Sequence, residues 1–560
     1  ASTALGAQIN ELYLGQEGVA PDTSIGGNFQ PLKSKIIRDS DEMAFVLLAG
    51  VITLLFIAVA NISNLFFSRA TQKQRMMAIQ AAVGAQPKHL FAGMFAEALI
   101  LVLAACMFGL VLAGWILVWL QNDLQYIFPR MHNLSLDAIT VIASFVVSVL
   151  IALIMAKLSI RQVNYAQLVD DLHVSGKGTG AQISSRTRNV LIATQVSLAT
   201  ILLLGATAIL SPVYDKLTKS VGFDIDGVHH LRVDSGNVGE GLFQYSQQIK
   251  QALIELAEVE TAGRTLATPL AMGWENYLFD ADDKMLGIVS TGMFDEDVFS
   301  AMGHELLEGR TFSPLQQQDA LPQEMIISES LAKRLFAGES ALGKTLQAAQ
   351  NEPRTVVGVV SDIFVPDRGF DYAQERYYIP FPGGSLQFTM KLKAPLDRGK
   401  LMSILQEINP SFSVSRFYSL QSRVEARLRQ AKLIGILTLS LVTLALCLAA
   451  AGIYGVLSYS VQMRRHELGI HLSLGAHTHK LTAMVVKQSM VPVVMGIAAG
   501  LAFAFVGHLI GSQVWVYQLR ADMMSFVLAL PLMAVIALVA CYWPVKKVIS
   551  KDPIKALRNE

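Results

Sequence analysis

ALILVLAACMFGLVLAGWILVWL, from Ala98 to Leu120, holds no charged residue. At about 1.5 Å of rise per helical residue, the run covers a ~30 Å hydrocarbon core. Working outward, six further apolar stretches qualify, at about 44–67, 136–157, 189–212, 433–460, 489–511 and 523–545. Buried helices of a large soluble protein would not be this long or this many. Composition agrees: 52% of residues are hydrophobic and 16% charged, where a soluble domain runs nearer a quarter charged. The formal net charge of +1 gives no reason to expect nucleic acid. Cys106, Cys447 and Cys541 each sit in an apolar run, as small buried hydrophobes do. They form no disulfide framework and no metal-ligand spacing.

Lys and Arg in short loops mark the cytoplasmic side. The loop after the first span carries Arg69, Lys73, Arg75 and Lys88; that after the third carries Arg161, Lys177, Arg186 and Arg188. The loop after the fifth has Arg464, Arg465 and Lys480, and the tail has Lys546, Lys547, Lys551, Lys555 and Arg558. The intervening loops, about 121–135 and 512–522, hold only Arg130 and Arg520, with Trp115, Trp119, Trp515 and Tyr517 as interfacial aromatics. The expectation is an N-terminus outside and a cytoplasmic C-terminus. Arg423, Arg427, Arg429 and Lys432 break the pattern, because they precede the fifth span on the outer side. Long translocated domains largely escape the charge rule, so the topology stands.

Residues 213–432 are polar enough to form an extracytoplasmic domain. Strand-like runs fall at His230–Val233, Met325–Ser328, Thr355–Val360 and Tyr377–Pro380, and helical ones at Phe243–Ala257, Ser330–Phe336 and Leu401–Ile408. Their alternation predicts a mixed α/β fold. Inside it, GESALGKT from Gly338 to Thr345 matches the phosphate-binding P-loop pattern letter for letter. A working P-loop follows a strand and opens a helix, whose N-terminus receives the phosphates. Here a helical segment precedes, Gly338 reads as its cap, and a turn and strand follow. The match reads as accidental.

The chain also repeats itself. KQRMMAIQAAVGA, Lys73–Ala85, aligns without gaps on RRHELGIHLSLGA, Arg464–Ala476, at an offset of 391 (464 minus 73). The same offset sets Glu97 opposite Gln488, and LSIRQV at Leu158–Val163 resembles WPVKKV at Trp543–Val548. Each copy is therefore three spans with a basic loop and a basic tail. Both copies run outside to inside, as parallel repeats. In each loop a short helix is expected to end at Gly84 or Gly475, the residue type that tolerates a left-handed cap. Met76, Ile79 and Val83 share one face of the first; the second is ambiguous, because Leu468, Ile470, Leu472 and Leu474 also alternate. Such a helix suits either a cytoplasmic partner or a lipid-facing connector.

These residues resemble the FtsX-like permeases, which include the MacB-type exporters. The resemblance rests on Arg464, Arg465, Glu467, Leu468, Gly469, Ile470, Leu474, Gly475 and Ala476. It extends to the tail through Pro544, Lys546, Asp552, Pro553, Ala556 and Leu557, and to MGHELLEGRTF at Met302–Phe312. It implies a cytoplasmic ATP-binding cassette partner, contacted chiefly by the loop at Arg464–Ala476. The first copy, through Arg75, Gly84 and Ala85, is the weaker contact, since Met76 stands where the second copy has Glu467. Two copies in one chain resemble the duplicated permeases, whose single polypeptide supplies both halves of a pseudo-dimer. Residues 1–43, with PLKSKIIRD at Pro31–Asp39, look like the end of an earlier extracytoplasmic domain. No initiator Met and no signal-peptide pattern stand at Ala1, as expected of a fragment or a processed product.

The expected architecture is an α-helical inner-membrane protein of seven spans, with two parallel three-span repeats at 44–188 and 433–560. A linking span at 189–212 and the domain at 213–432 separate them. The expected function is the permease of an ABC-type exporter, handling a peptide, drug or lipid-linked molecule, with ATP hydrolysed in a separate subunit. The alternative is a mechanical signalling protein acting on an outer, periplasmic partner without transport; an enzyme would rest on the P-loop match alone. Membrane lipid is an expected partner; no catalytic set and no cofactor are expected. His471, His477 and His479 lack the ligand set of a metal site. Asn61, Asn64, Glu97, Gln195 and His508 lie in or near the spans. They mark either a pathway or hydrogen bonds between helices, with the structural role favoured.

Overall fold

The computed structural model describes residues 45–63, 76–124, 135–161, 185–315, 322–365, 375–463, 470–514 and 523–549, apart from a few positions within those stretches. The expectation for residues 1–43 lies outside them. In chain order the elements begin with helices α1 (Leu47–Ser63), α2 (Pro87–Leu124), α3 (Ala138–Arg161) and α4 (Ser185–Thr218). There follow β1 (Val228–Asp234), α5 (Leu242–Ile254), β2 (Val259–Arg264), β3 (Trp274–Phe279), β4 (Met285–Phe294), α6 (Val298–Ala301), β5 (Leu306–Gly309) and β6 (Glu324–Ser328). Next are α7 (Glu329–Phe336), β7 (Thr345–Ala348), β8 (Glu352–Val360), β9 (Arg376–Pro380), β10 (Gln387–Leu392), α8 (Arg398–Ile408) and β11 (Ser413–Ser419). Helices α9 (Leu420–Met463), α10 (Thr478–Val514) and α11 (Met523–Ile549) close the chain. They form two compact units, one helical and one α/β, the latter chiefly Pro212–Gly435.

In the helical unit, α2, α3, α4, α9 and α10 are long and apolar enough to cross a membrane. Among the described residues, α1 and the Leu530–Trp543 part of α11 are shorter apolar helices. Five of the seven expected spans therefore meet the length criterion. The helices begin earlier than the apolar runs expected at 93 and 489. Apolarity records where lipid would start, whereas backbone hydrogen bonding starts directly after the loop.

The core of this unit joins Ile57 of α1, Ile192, Val196 and Leu203 of α4, Ala445, Ala449 and Ile453 of α9, Val493 of α10 and Met533, Ala537 and Cys541 of α11. The span expected to be a linker is thus central: 56% of the apolar window of α4 is buried, against 6% for α2. Small residues permit the closest approach, as they do between helices in lipid. A Cβ on Gly496 of α10 would lie 2.5 Å from the Ala193 carbonyl oxygen of α4, and one on Gly500 would lie 2.8 Å from that of Ser197.

The α/β unit contains two sheets. Strands β11-β1-β10-β2 form an antiparallel sheet in that order. Helix α5 connects β1 to β2 across β10, and α8 connects β10 to β11 across β1, so the topology is the ferredoxin-like split βαβ. Its core is Leu231, Ile249, Leu253, Phe388, Leu401 and Phe412. The second sheet, β5-β8-β6-β9-β4-β3-β7, is inserted between β2 and β10. Because β7 pairs with both β3 and β8, six of its strands close into a ring around Met325, Ile327, Leu346, Val356 and Tyr377. All four strand-like runs and the helical runs at Ser330–Phe336 and Leu401–Ile408 lie in elements of these types, whereas the run expected to Ala257 stops at Ile254, where α5 ends.

A buried ion cluster ties the two sheets together. Asp295, just after β4, accepts from the backbone N–H of Arg264 at 2.8 Å and from its Nε at 3.2 Å. It also accepts from Lys250 Nζ at 2.9 Å. Glu296 at 3.0 Å and Asp297 at 2.6 Å complete the surroundings of that ammonium. Burial alone would lower the Lys250 pKa, and the three carboxylates outweigh it and hold the group charged.

Two histidines are buried beside these cores. His230 lies against Tyr418, and His304 donates its Nε2–H to the Ser361 carbonyl at 2.8 Å. Burial is the main cause that lowers both pKa values from 6.5 to about 4. Unfolding restores the ordinary value, so the unfolded chain binds more protons between the two. Stability is therefore complete above pH 6.5 and falls as pH drops from 6.5 toward 4, by about 3 kcal/mol per histidine. Burial would raise the Glu324 pKa, and Arg310 and Ser313 outweigh it and hold the carboxyl below its ordinary value. Denaturant melts between pH 7 and 4.5 should show the loss, and His304→Asn should flatten the slope. A flat profile in the parent protein would contradict this account.

Candidate functional site

Among their described residues, the two loops singled out by the repeat make the same backbone hydrogen bonds. Val83 N–H donates to the Ile79 carbonyl at 3.1 Å, and Leu474 N–H to that of Ile470 at 3.0 Å. Ala85 N–H reaches back five residues to Gln80 at 2.9 Å, and Ala476 N–H to His471 at 3.0 Å. Both pairs are related by the offset of 391, and so are the starts of α2 and α10 at Pro87 and Thr478. The five-residue bond is that of a Schellman cap, which needs a residue at positive φ just before the donor. Gly84 supplies it at φ 99. The bond from Leu474 to Ile470 settles the ambiguity of the second copy in favour of a helix.

Each loop turns apolar side chains outward at matching positions. Ile79 and Val83 are exposed, as are Ile470 and Leu474. Met76 is exposed with the first pair, so the face expected of Met76, Ile79 and Val83 exists and is open. The next turn faces inward, with Leu90 and Leu481 both buried. In the second copy, Ala476 packs against a small core of Val461 from α9, Leu481 and Val485 from α10, and Val545 from α11. That loop is thereby packed against all three helices of its repeat. Among the remaining candidates, Arg75, Arg464, Arg465, Glu467, Leu468, Gly469 and Gly475 lie outside the described residues.

Of the polar span residues, Asn61 and Gln195 meet. Asn61 Nδ2 donates to the Leu448 carbonyl of α9; Gln195 Nε2 donates to Asn61 Oδ1 and, at 3.2 Å, to the same carbonyl. One junction thus joins α1 of the first repeat, α4, and α9 of the second. The structural role favoured from sequence is the one these bonds perform. Gly452 makes room for it: a Cβ there would lie 1.9 Å from Asn61 Oδ1 and 2.1 Å from Gln195 Nε2. Gln195 Oε1 has no hydrogen-bond partner among the described residues. Sequence reading missed Gly452 and the Gly496-x-x-x-Gly500 spacing, although that spacing is a recognised signal of close helix packing.

The P-loop match is helix, turn and strand, the reverse of a phosphate cradle. Helix α7 ends at Phe336, and its cap Ala337 is itself left-handed at φ 48, with Gly338 following at φ 95. The cap is therefore one residue earlier than expected, because the helix unwinds at Ala337 before the glycine. Strand β7 begins at Thr345, the last residue of the motif.

A multi-pass helical unit with a duplicated three-helix element and a large inserted α/β domain defines a class of membrane permease. Comparison with known proteins agrees. The FtsX-like permease C-terminal model matches twice, at residues 48–168 and 439–553, and the MacB-like periplasmic core domain matches residues 196–408. The chain belongs to the FtsX/MacB-type family of ABC permeases, as an inner-membrane, multi-pass protein with an extracytoplasmic α/β domain.

It is 24% identical over 293 residues to the macrolide export ATP-binding/permease protein MacB of Escherichia coli, covering 49% of this chain and 44% of that protein. It is also 24% identical over 328 residues to the probable syringafactin export ATP-binding/permease protein SyfD of Pseudomonas syringae, covering 55% and 47%. The chain thus spans less than half the length of these relatives. The periplasmic region of MacB from Actinobacillus actinomycetemcomitans superposes with a TM-score of 0.26 at 18% identity, over 37% of this chain and 95% of that one.

Two glycines at one repeat position give a paired test. Gly500 packs on α4, while its counterpart Gly109 in α2 has nothing within 4 Å of a built Cβ among the described residues. Gly500→Leu should destabilise the solubilised protein by about 2–3 kcal/mol through overpacking, and Gly109→Leu should leave thermal unfolding unchanged. Equal effects would refute the placement of α4 against α10. Gly452→Ala should separate Asn61 from Gln195 and cost about 1–3 kcal/mol in the same assay; an unaltered melting temperature would show that the junction is not tight.

Proposed function

We propose that this chain is the permease of an ABC-type exporter, driven by a separate cytoplasmic ATP-binding cassette subunit. It moves a peptide, drug or lipid-linked substrate through its extracytoplasmic domain. The observation that carries the reading is the pair of loops capped by the same hydrogen bonds, each with an open apolar face. A rigid, capped helix transmits force, whereas a lax connector absorbs it. The second loop, held by Ala476 to α9, α10 and α11, can pass a push to three spans together. The acidic residue of its signature, Glu467, has Met76 as counterpart in the first copy, so coupling falls mainly on the second loop. In this reading the C-terminus is cytoplasmic and Arg464, Arg465 and Glu467 meet the ATPase.

Coupling between distant sites typically amounts to a factor of about 5–150. Arg464→Ala with Glu467→Ala should therefore reduce ATP-dependent efflux roughly tenfold or more at unchanged membrane abundance, and Arg75→Ala should reduce it less. Undiminished efflux from the double variant would overturn the assignment. ATPase activity modulated by the chain without efflux of any compound tested would move the reading to mechanical signalling.

A further inference from the structure

We infer that the first three-helix repeat takes the second as its partner through a matched row of side chains on α1 and α9. Gly50 with Leu441, and Asn61 with Gly452, select this pairing over pairing with a second copy of the chain. A Cβ on Gly50 would lie 2.6 Å from Leu441 Cδ2, and one on Gly452 would overlap Asn61 Oδ1. Both contacts join residues that the repeat makes equivalent, since 441 minus 50 and 452 minus 61 each give the offset of 391. Two related units bring a residue onto its own counterpart only at the two-fold axis between them. The two pairs lie eleven residues apart on each helix (61 minus 50), about 16 Å of rise. The axis therefore runs along α1 and α9, and these helices form the seam between the repeats.

The seam is uneven in a complementary way. Gly50 receives Leu441 and Gly452 receives Asn61, so the recess lies in the first repeat at one level and in the second at the other. Between these levels Leu54 has Ala445 as its counterpart and Ile57 has Leu448, all four in or against one core. Pairing α1 with α1 of a second copy would set Gly50 on Gly50 and bring two Asn61 amides to one point. Pairing α9 with α9 would set Leu441 on Leu441 and leave a gap between two Gly452 residues. Helices in lipid associate by close packing, so a gap forfeits contacts and an overlap forces the backbones apart. The mixed pairing alone sets a large residue against a small one at both levels, and selectivity is that difference. Helix α4 adds to one side of the seam: Gln195 bonds Asn61, and Leu202 Cδ2 lies 3.6 Å from a Cβ on Gly50.

The test uses the purified full chain in detergent, with its native cysteines, under mild copper-phenanthroline oxidation. Gly50→Cys together with Leu441→Cys should give a 50–441 linked peptide in the monomer band, read by mass spectrometry. Gly50→Cys alone should give no 50–50 peptide, and Leu441→Cys alone no 441–441 peptide. A linked peptide of either like kind, or the lack of the 50–441 link, would overturn the proposal. A second measurement reads the match itself. The methyl added by Gly50→Ala meets Leu441 and makes only an ordinary contact with Leu202. It should lower the thermal unfolding midpoint by a few degrees. Leu441→Val, which removes the Cδ2 atom in its way, should restore most of that loss when the two are combined. A double variant no more stable than Gly50→Ala alone would likewise overturn the pairing.

Discussion

A polar side chain between helices in lipid has no water to fall back on, and the helical unit depends on how that demand is met. Asn61, Gln195 and the Leu448 carbonyl satisfy one another across three helices from separate parts of the chain. Each bond is worth little by itself, about 1 kcal/mol. Its directional character matters more, since apolar helices in apolar solvent have few other reasons to choose one register. Gly452 is the condition for the junction, because any side chain there would occupy the space of both amides. Gly496 and Gly500 serve the same end between α4 and α10 by allowing backbone contact.

The α/β unit answers a related demand with charge. Lys250 and Arg264 are buried, and Asp295 faces both, so the link between the sheets is an ion cluster in a dry setting. Removing one member of such a cluster costs more than forming it gains, because a charge would remain without its counter-ion. The cluster is thus better understood as fixing how the inserted ring meets the split βαβ sheet than as a source of net stability.

The repeat unites the loops, and its two copies have diverged in surroundings more than in backbone. The Schellman bond recurs at Ala85 and Ala476, and the helix starts recur at Pro87 and Thr478. Yet α10 is packed on α4, while the window of α2 is hardly buried. Equivalent sequence therefore occupies unlike environments, so identity between the copies does not by itself imply equal roles.

Five of the seven expected spans, the repeat and the strand and helix runs of the α/β domain were legible in the sequence because hydropathy and periodicity are local properties. The P-loop match could be rejected on the same ground, since its flanks read as helix and then strand, although the cap fell at Ala337 rather than Gly338. The central position of α4 was not legible: apolar composition states that a helix faces lipid or other helices, and does not distinguish them. Nor could Asn61 and Gln195 be paired from a sequence separation of 134 residues. The closure of β7 onto both β3 and β8 was equally hidden. By itself the sequence determined what each segment is, through residue type and period. Which segments meet was decided by the tertiary structure alone, because contact depends on shape, small residues and hydrogen-bond partners brought together from distant parts of the chain.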